Sequence, residues 1–221
     1  MSKSPVATDT IQHGPSRSES HAPTTSSQLA SNEIDGLRQQ REEQTEIFRQ
    51  AITKTPDFPK AGILFEDIFP IFTSPHHHEA LIKAYELQTQ EIVGTGQKPD
   101  VLVGLDARGF LIGPTLALRL GCSFVPVRKA GKLPGKLQTV TYEKEYGEDS
   151  FAIQDNSIPT GAKVVIVDDL IATGGSAAAA GELVKKCGGQ LLGYIFIIEL
   201  VGLNGRSKLD APVYTLIESQ S

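Results

Sequence analysis

The chain has 221 residues, of which 39% are hydrophobic, with a formal net charge of −5 and two cysteines. That length and apolar content support one well-buried domain and not two large ones. The negative balance excludes the broad positive field that nucleic-acid or anionic-membrane binding requires, and no stretch approaches the roughly 18 consecutive apolar residues of a membrane span.

Residues 1–33 are rich in Ser, Thr, Pro and Gln and contain no aromatic residue. Such a segment buries too little apolar surface to offset its chain entropy and reads as a disordered tail, leaving a domain over 34–221. Asp9, Glu19 and the scarcity of Arg argue against a transit peptide, and no sequon or secretory pattern occurs. Cys122 and Cys187 lack metal-ligand spacing and read as reduced thiols. The expected address is the cytoplasm, with a nuclear share left open.

A polar helix is expected from about Ile34 to Thr53, ended by Pro56 and Pro59. Ser74-Pro75 has the form of an N-cap followed by proline at the first helical position, opening a helix with Leu81, Tyr85 and Ile92 on one face. His76, His77 and His78 at that start point in different directions and do not converge on one ion. Strands are expected over Asp100 to Leu105, Ser123 to Val127, Lys163 to Val167 and Leu191 to Ile198. Helices are expected between them, one closing at Gly121 and one running from Ser176 to Cys187. The third strand is almost entirely β-branched, as suits a strand covered on both faces. The alternation predicts an α/β fold, a mostly parallel twisted sheet flanked by helices.

The chemistry gathers at the end of the third strand. Asp168 and Asp169 stand at its tip, followed by Ala172, Thr173, Gly174, Gly175 and Ser176 before the next helix. Ligands of open α/β sheets bind outside the carboxyl ends of the strands. Glycines admit a phosphate to the backbone, and unpaired N–H groups at the helix start point at it. Two carboxylates cannot share that phosphate, so they face a polyol or a metal; ribose hydroxyls beside a monophosphate meet both demands. Other nucleotide motifs fail: Gly94-Thr95-Gly96 lacks a third glycine, and Gly131 to Lys136 is one residue short of a P-loop, with Leu137 where Ser or Thr belongs.

The run VVIVDDLIATGGS, Val164 to Ser176, resembles the binding motif of type I phosphoribosyltransferases. FPKAGILFEDI (Phe58 to Ile68), GLDARGFLIGP (Gly104 to Pro114), VPVRKAGKLPG (Val125 to Gly135), TYEKEYG (Thr141 to Gly147) and IIELVGLNGRSKL (Ile197 to Leu209) are similar to the adenine-specific branch. The resemblance implies the type I phosphoribosyltransferase fold with a mobile lid loop. The implied reaction joins adenine and 5-phosphoribosyl 1-diphosphate into AMP and diphosphate, in purine salvage. Mg2+ is implied as cofactor, held mainly by the substrate diphosphate and water, with no metal site of protein ligands. A homodimer is implied as well.

By the same likeness Asp168 and Asp169 take the ribose hydroxyls, and Ala172 to Ser176 hold the 5′-phosphate. Arg108, after a cis peptide at Asp106-Ala107, meets the diphosphate; a helix-capping arginine is the competing role. Phe65 and Leu200 sandwich adenine while the backbone at Leu64 and Glu66 reads its edge. Glu145 gives acid help at adenine N7. Tyr146 orders the lid spanning Lys129 to Gly147, and Arg128 and Lys132 offer charge to the diphosphate. Glu66 and Ala130 depart from the Arg found at both positions in many relatives. The rivals are a 6-oxopurine transferase, which needs a donor that Glu199-Leu200 does not supply, and a non-catalytic regulator that binds phosphoribosyl diphosphate.

Overall fold

The computed structural model describes residues 26–143 and 147–220. Its main element is a seven-stranded sheet in the order β5-β6-β4-β3-β7-β8-β9. The strands are β3 (Val101–Leu105), β4 (Ser123–Lys129), β5 (Leu137–Glu143), β6 (Glu148–Gln154), β7 (Lys163–Ile171), β8 (Gln190–Leu200) and β9 (Val213–Ser219). The run β4-β3-β7-β8-β9 is parallel throughout, while β6 joins β4 and β5 antiparallel.

Period-two alternation decides which face each strand residue serves. On β7, Val164 and Ile166 enter one core with Leu183 and Val184 of helix α5 (Gly175–Lys186). Val165 and Val167 enter the other. That second core holds Leu81 and Tyr85 of α3 (Pro75–Val93) and Ile112 and Leu116 of α4 (Gly109–Leu120). Helices therefore cover both faces, which is why the middle strands are apolar on both sides. The strand order turns between β3 and β7: β3 leads to β4 on one side and, later, to β7 on the other. Such a switch point leaves a crevice at the strand ends.

Several boundaries differ from expectation. Helix α1 is Ser26–Arg49, starting eight residues before Ile34 and stopping before Thr53. Residues 26–33 are thus helical although their composition reads as a tail; propagating an existing helix adds a hydrogen bond per residue without demanding burial. The rest of that tail, residues 1–25, lies outside the described residues. Arg38 and Arg41 of α1 pair with Glu91 of α3 at 2.8 and 2.7 Å, and Phe48 of α1 is fully buried in the second core. Past α1 the chain does not simply break at its prolines. Thr53–Pro56 forms β1, paired antiparallel with β2 (Leu64–Asp67), because the β-branched Thr53 and Thr55 find cross-strand partners in Asp67 and Phe65. A four-residue helix α2 (Phe69–Phe72) follows.

Ser74 caps α3, its hydroxyl accepting from the His77 amide, with Pro75 in the first turn. Gly121 ends α4 in the left-handed conformation. The segment 129–147, expected as a lid loop, consists largely of a turn and strand β5, whose register with β6 runs from Leu137↔Gln154 to Glu143↔Glu148. Between β8 and β9 the chain makes two 3-10 turns, Val201–Leu203 and Gly205–Lys208. Among the described residues no helix is long and apolar enough to cross a membrane.

Candidate active site

The crevice at the switch point is a cleft of about 550 Å³. Asp106, Ala107 and Arg108 line it from the end of β3, Asp168 and Asp169 from β7, and Ala172 to Ala177 from the loop and first turn of α5. Phe69, Phe151 and Phe196 close its apolar sides.

The acidic pair is not at a strand tip. β7 continues to Ile171, but β3 is in register only as far as Gly104↔Val167, so Asp168 and Asp169 lie on a stretch of β7 paired with β8 alone. The side toward β3 is thereby opened. Tyr85, fully buried on α3, donates its hydroxyl to the Asp168 carbonyl at 2.7 Å. Gly109 lets α4 start against this stretch: a Cβ there would stand 2.8 Å from the Val167 carbonyl and 3.2 Å from the Asp168 carboxylate.

Burial pushes the Asp168 carboxyl well above the usual carboxylate range, and the neighbouring Asp169 charge pushes it further. Asp169 is buried and also raised by its burial, against the pull of the Arg108 guanidinium. Arg108 Nη1 stands 3.0 Å from Asp169 Oδ2. Although Arg108 occupies the N-cap of α4, it makes no side-chain cap; its charge is turned to Asp169 and the cleft. The Asp106-Ala107 peptide is cis.

Gly174, left-handed at φ 79°, is the N-cap of α5 and brings no side-chain acceptor. The first intrahelical bond is Ala178 N–H to Gly174 O. The amides before it are free of a capping side chain, and they carry the positive end of the helix dipole. Ser176 Oγ donates to the Tyr142 hydroxyl of β5 at 3.3 Å, and Lys186 Nζ donates to the Thr139 carbonyl at 3.1 Å. The β5–β6 hairpin is thus seated beside the loop.

The remaining described candidates do not line the cleft. Arg128 Nε donates to Asp106 Oδ2 at 3.0 Å and Nη1 to the Lys132 carbonyl at 3.3 Å, which folds the β4 turn toward the cleft wall. Lys132 is exposed. Leu64, Phe65 and Glu66 sit on β2, where Phe65 meets Phe58 edge-on at 5.1 Å and Glu66 pairs with Lys54 at 3.0 Å. Leu200 ends β8, half-buried. Glu145 and Tyr146 lie outside the described residues. Sequence reading missed Phe69, Phe151, Phe196 and Tyr85 as parts of this site. Of these only Tyr85 had a signal, its place on the buried face of α3.

Residues 75–220 match the family described as phosphoribosyl transferase domain. Adenine phosphoribosyltransferase 1 of Saccharomyces cerevisiae is 59% identical over 170 residues, 77% of this chain and 90% of that protein. A crystal structure of adenine phosphoribosyltransferase from S. cerevisiae, complexed with an imino-altritol bisphosphate and adenine, superposes with a TM-score of 0.77 at 56% identity, covering 79% of this chain and 99% of the other. That of the Trypanosoma brucei adenine phosphoribosyl transferase, in complex with AMP, pyrophosphate and ribose-5-phosphate, gives 0.69 at 28% identity, covering 81% and 79%.

Proposed function

The chain belongs to the phosphoribosyltransferase family, its relatives are adenine-specific, and from that premise we propose how its residues convert adenine and 5-phosphoribosyl 1-diphosphate to AMP and diphosphate. The observation that carries the assignment of roles is the cleft itself. A buried acidic pair, an arginine and an uncapped glycine-rich helix start face one crevice at the switch point of the sheet.

The amides of Ala172 to Ser176 take the 5′-phosphate, aided by the Thr173 and Ser176 hydroxyls. Asp168 and Asp169 accept from the two ribose hydroxyls. Their carboxylates stabilise the positive charge that develops at the ribose carbon as the diphosphate leaves and the base arrives. Arg108 meets the diphosphate, with Arg128 and Lys132 supplying further charge from the β4 turn. When the diphosphate enters, Arg108 exchanges part of its contact with Asp169 for the stronger anion. Magnesium, when bound, offsets charge on that leaving group. Asp168 and Asp169 would offer it hard oxygen donors on the cleft wall, and most of its ligands would come from the diphosphate and water.

Adenine lies between Phe65 and Leu200, its edge read by the backbone at Leu64 and Glu66. Glu145 is the acid–base group at adenine N7: as N9 bonds to the ribose carbon its carboxylate takes the proton the base loses at N7, and it returns that proton as the acid in the reverse direction, while Tyr146 orders the hairpin over the substrates. The pairing of Glu66 with Lys54 is consistent with a main-chain role for Glu66. An oxopurine transferase would need a donor at Glu199-Leu200, the end of β8. The Glu199 carboxylate is already held by Arg206 at 2.7 and 2.6 Å, and Leu200 follows it. Turnover of adenine against hypoxanthine and guanine in competition tests this: preferred turnover of an oxopurine overturns it, and binding of phosphoribosyl diphosphate without any turnover favours a regulator.

We also assign the chain a homodimeric state, supported by Leu111 and Leu118 exposed on one face of α4, Leu118 at 86%. A cytoplasmic address, without nucleic-acid or membrane partners, is supported by the acidic balance and by the two free thiols.

A further inference from the structure

Past Leu200 the two 3-10 turns carry residues that the roles above do not use, yet the phosphate loop leans on them. Glu199 is 5% exposed. Arg206 donates to both its carboxylate oxygens, and its other nitrogens go to the Val213 carbonyl at 2.6 Å and the Thr215 hydroxyl at 2.7 Å. Thr215 donates onward to Glu199 at 3.2 Å. One guanidinium fork thus ties the end of β8 to β9 and fixes the turn that carries it.

The residue before Arg206 is the point of contact. A Cβ on Gly205 would overlap the Ala172 carbonyl and stand 3.0 Å from the Gly174 amide nitrogen. A Cβ on Gly174 would overlap the Gly205 carbonyl. Two backbones therefore interleave glycine against glycine directly behind the loop Ala172–Ser176. A loop containing Gly174 and Gly175 has little stiffness of its own, and donors aimed at an anion must be held to within about 0.5 Å.

We propose that Gly205, held by the Glu199–Arg206 fork, is a positioning wedge that sets the geometry of the phosphate loop. These three residues would then govern phosphoribosyl affinity without touching the ligand. The inference rests on the reading of Ala172–Ser176 as the 5′-phosphate site.

The test uses the full chain, calorimetric titration with ribose 5-phosphate, and initial rates against phosphoribosyl diphosphate and adenine. Gly205→Ala is expected to weaken ribose 5-phosphate binding by about tenfold or more, the scale of one lost hydrogen bond to a charged group. KM for phosphoribosyl diphosphate should follow, with KM for adenine unchanged. Gly202→Ala, in the same segment but with open space around its Cβ, serves as control and should leave both unchanged. Arg206→Lys keeps the charge but loses the fork, and should fall between wild type and Gly205→Ala. If wild type does not bind ribose 5-phosphate, the phosphate-site reading itself fails. If wild type binds and the folded variants bind equally well, the wedge is overturned. Should Gly205→Ala fail to fold, Arg206→Lys decides alone, and unchanged affinity there refutes the proposal.

Discussion

Tyr85→Phe removes a single oxygen from the fully buried core and isolates one link in the site. In the wild type that oxygen donates to the Asp168 carbonyl at 2.7 Å, across 83 residues of sequence. No residue of β3 is in register with Asp168, so the phenol supports β7 where the neighbouring strand has ended. Deleting the donor costs the carbonyl a buried hydrogen bond, about 1–3 kcal/mol. The ring keeps its packing, and the void is too small to hold a water. For a domain of this size about 1 kcal/mol corresponds to roughly 2–4 °C in Tm. Thermal unfolding should therefore fall by at least that much, and KM for phosphoribosyl diphosphate should rise while KM for adenine stays put. A Tm loss with no change in either KM would reduce Tyr85 to a packing residue. An unchanged Tm would refute the hydrogen-bond accounting altogether.

Glu145→Gln should lower turnover by roughly tenfold to ten-thousandfold, the range for lost acid–base help, with little change in substrate affinity; unchanged turnover removes Glu145 from the mechanism. Asp168→Asn with Asp169→Asn should weaken phosphoribosyl diphosphate binding in direct titration, and equal affinity would discount the ribose contacts. The same pair makes a stability prediction. Both carboxyls hold their protons to higher pH in the folded chain than in the unfolded one. Their contribution is present in full below the unfolded value of about 3.9 and is lost as pH rises through the folded range. Asp168→Asn should therefore flatten the fall of unliganded Tm with rising pH and raise Tm near neutrality, and a parallel curve for the two proteins would contradict this. Leu118→Lys places a charge on the exposed row of α4 and should shift sedimentation toward monomer; an unaltered profile moves the interface elsewhere.

How much of this was legible beforehand varied with the range of the interaction. The apolar run Val164 to Val167, the glycine pair at the start of α5 and the Ser74 cap are local signals, and each sits where its chemistry demands. The β1–β2 hairpin was not legible. Thr53–Pro56 is exposed, polar and followed by prolines, and it is a strand only because β2 lies opposite. The extension of β7 past Val167 was hidden likewise, since charged residues at 168 and 169 read as a terminus until β8 is in place to pair them. Phe69, Phe151 and Phe196 converge on the cleft from three separate elements, and no spacing within the chain connects them. Adenine specificity was legible only through family resemblance, because the β2 and β8 residues that would form its site carry no chemistry of their own.

The geometry also resolves a conflict within the opening motif. On the proposed roles a phosphate and two carboxylates lie close together in sequence and ought to repel, and the cleft must bind a dianion without expelling its own acids. Extending β7 beyond β3 separates the two sets of groups along the chain: Asp168 and Asp169 line the switch-point crevice from the strand, while Ala172 to Ala177 line it from the loop and first turn of α5. Arg108 stands 3.0 Å from Asp169 and offsets part of the pair's charge. Burial nevertheless raises both acids, so ionised carboxylates there carry a cost that, on the proposed roles, a cationic ribose carbon relieves. Stabilisation of that kind is realised most fully when the positive charge develops, and this is the condition for binding energy to act on rate and not on affinity alone.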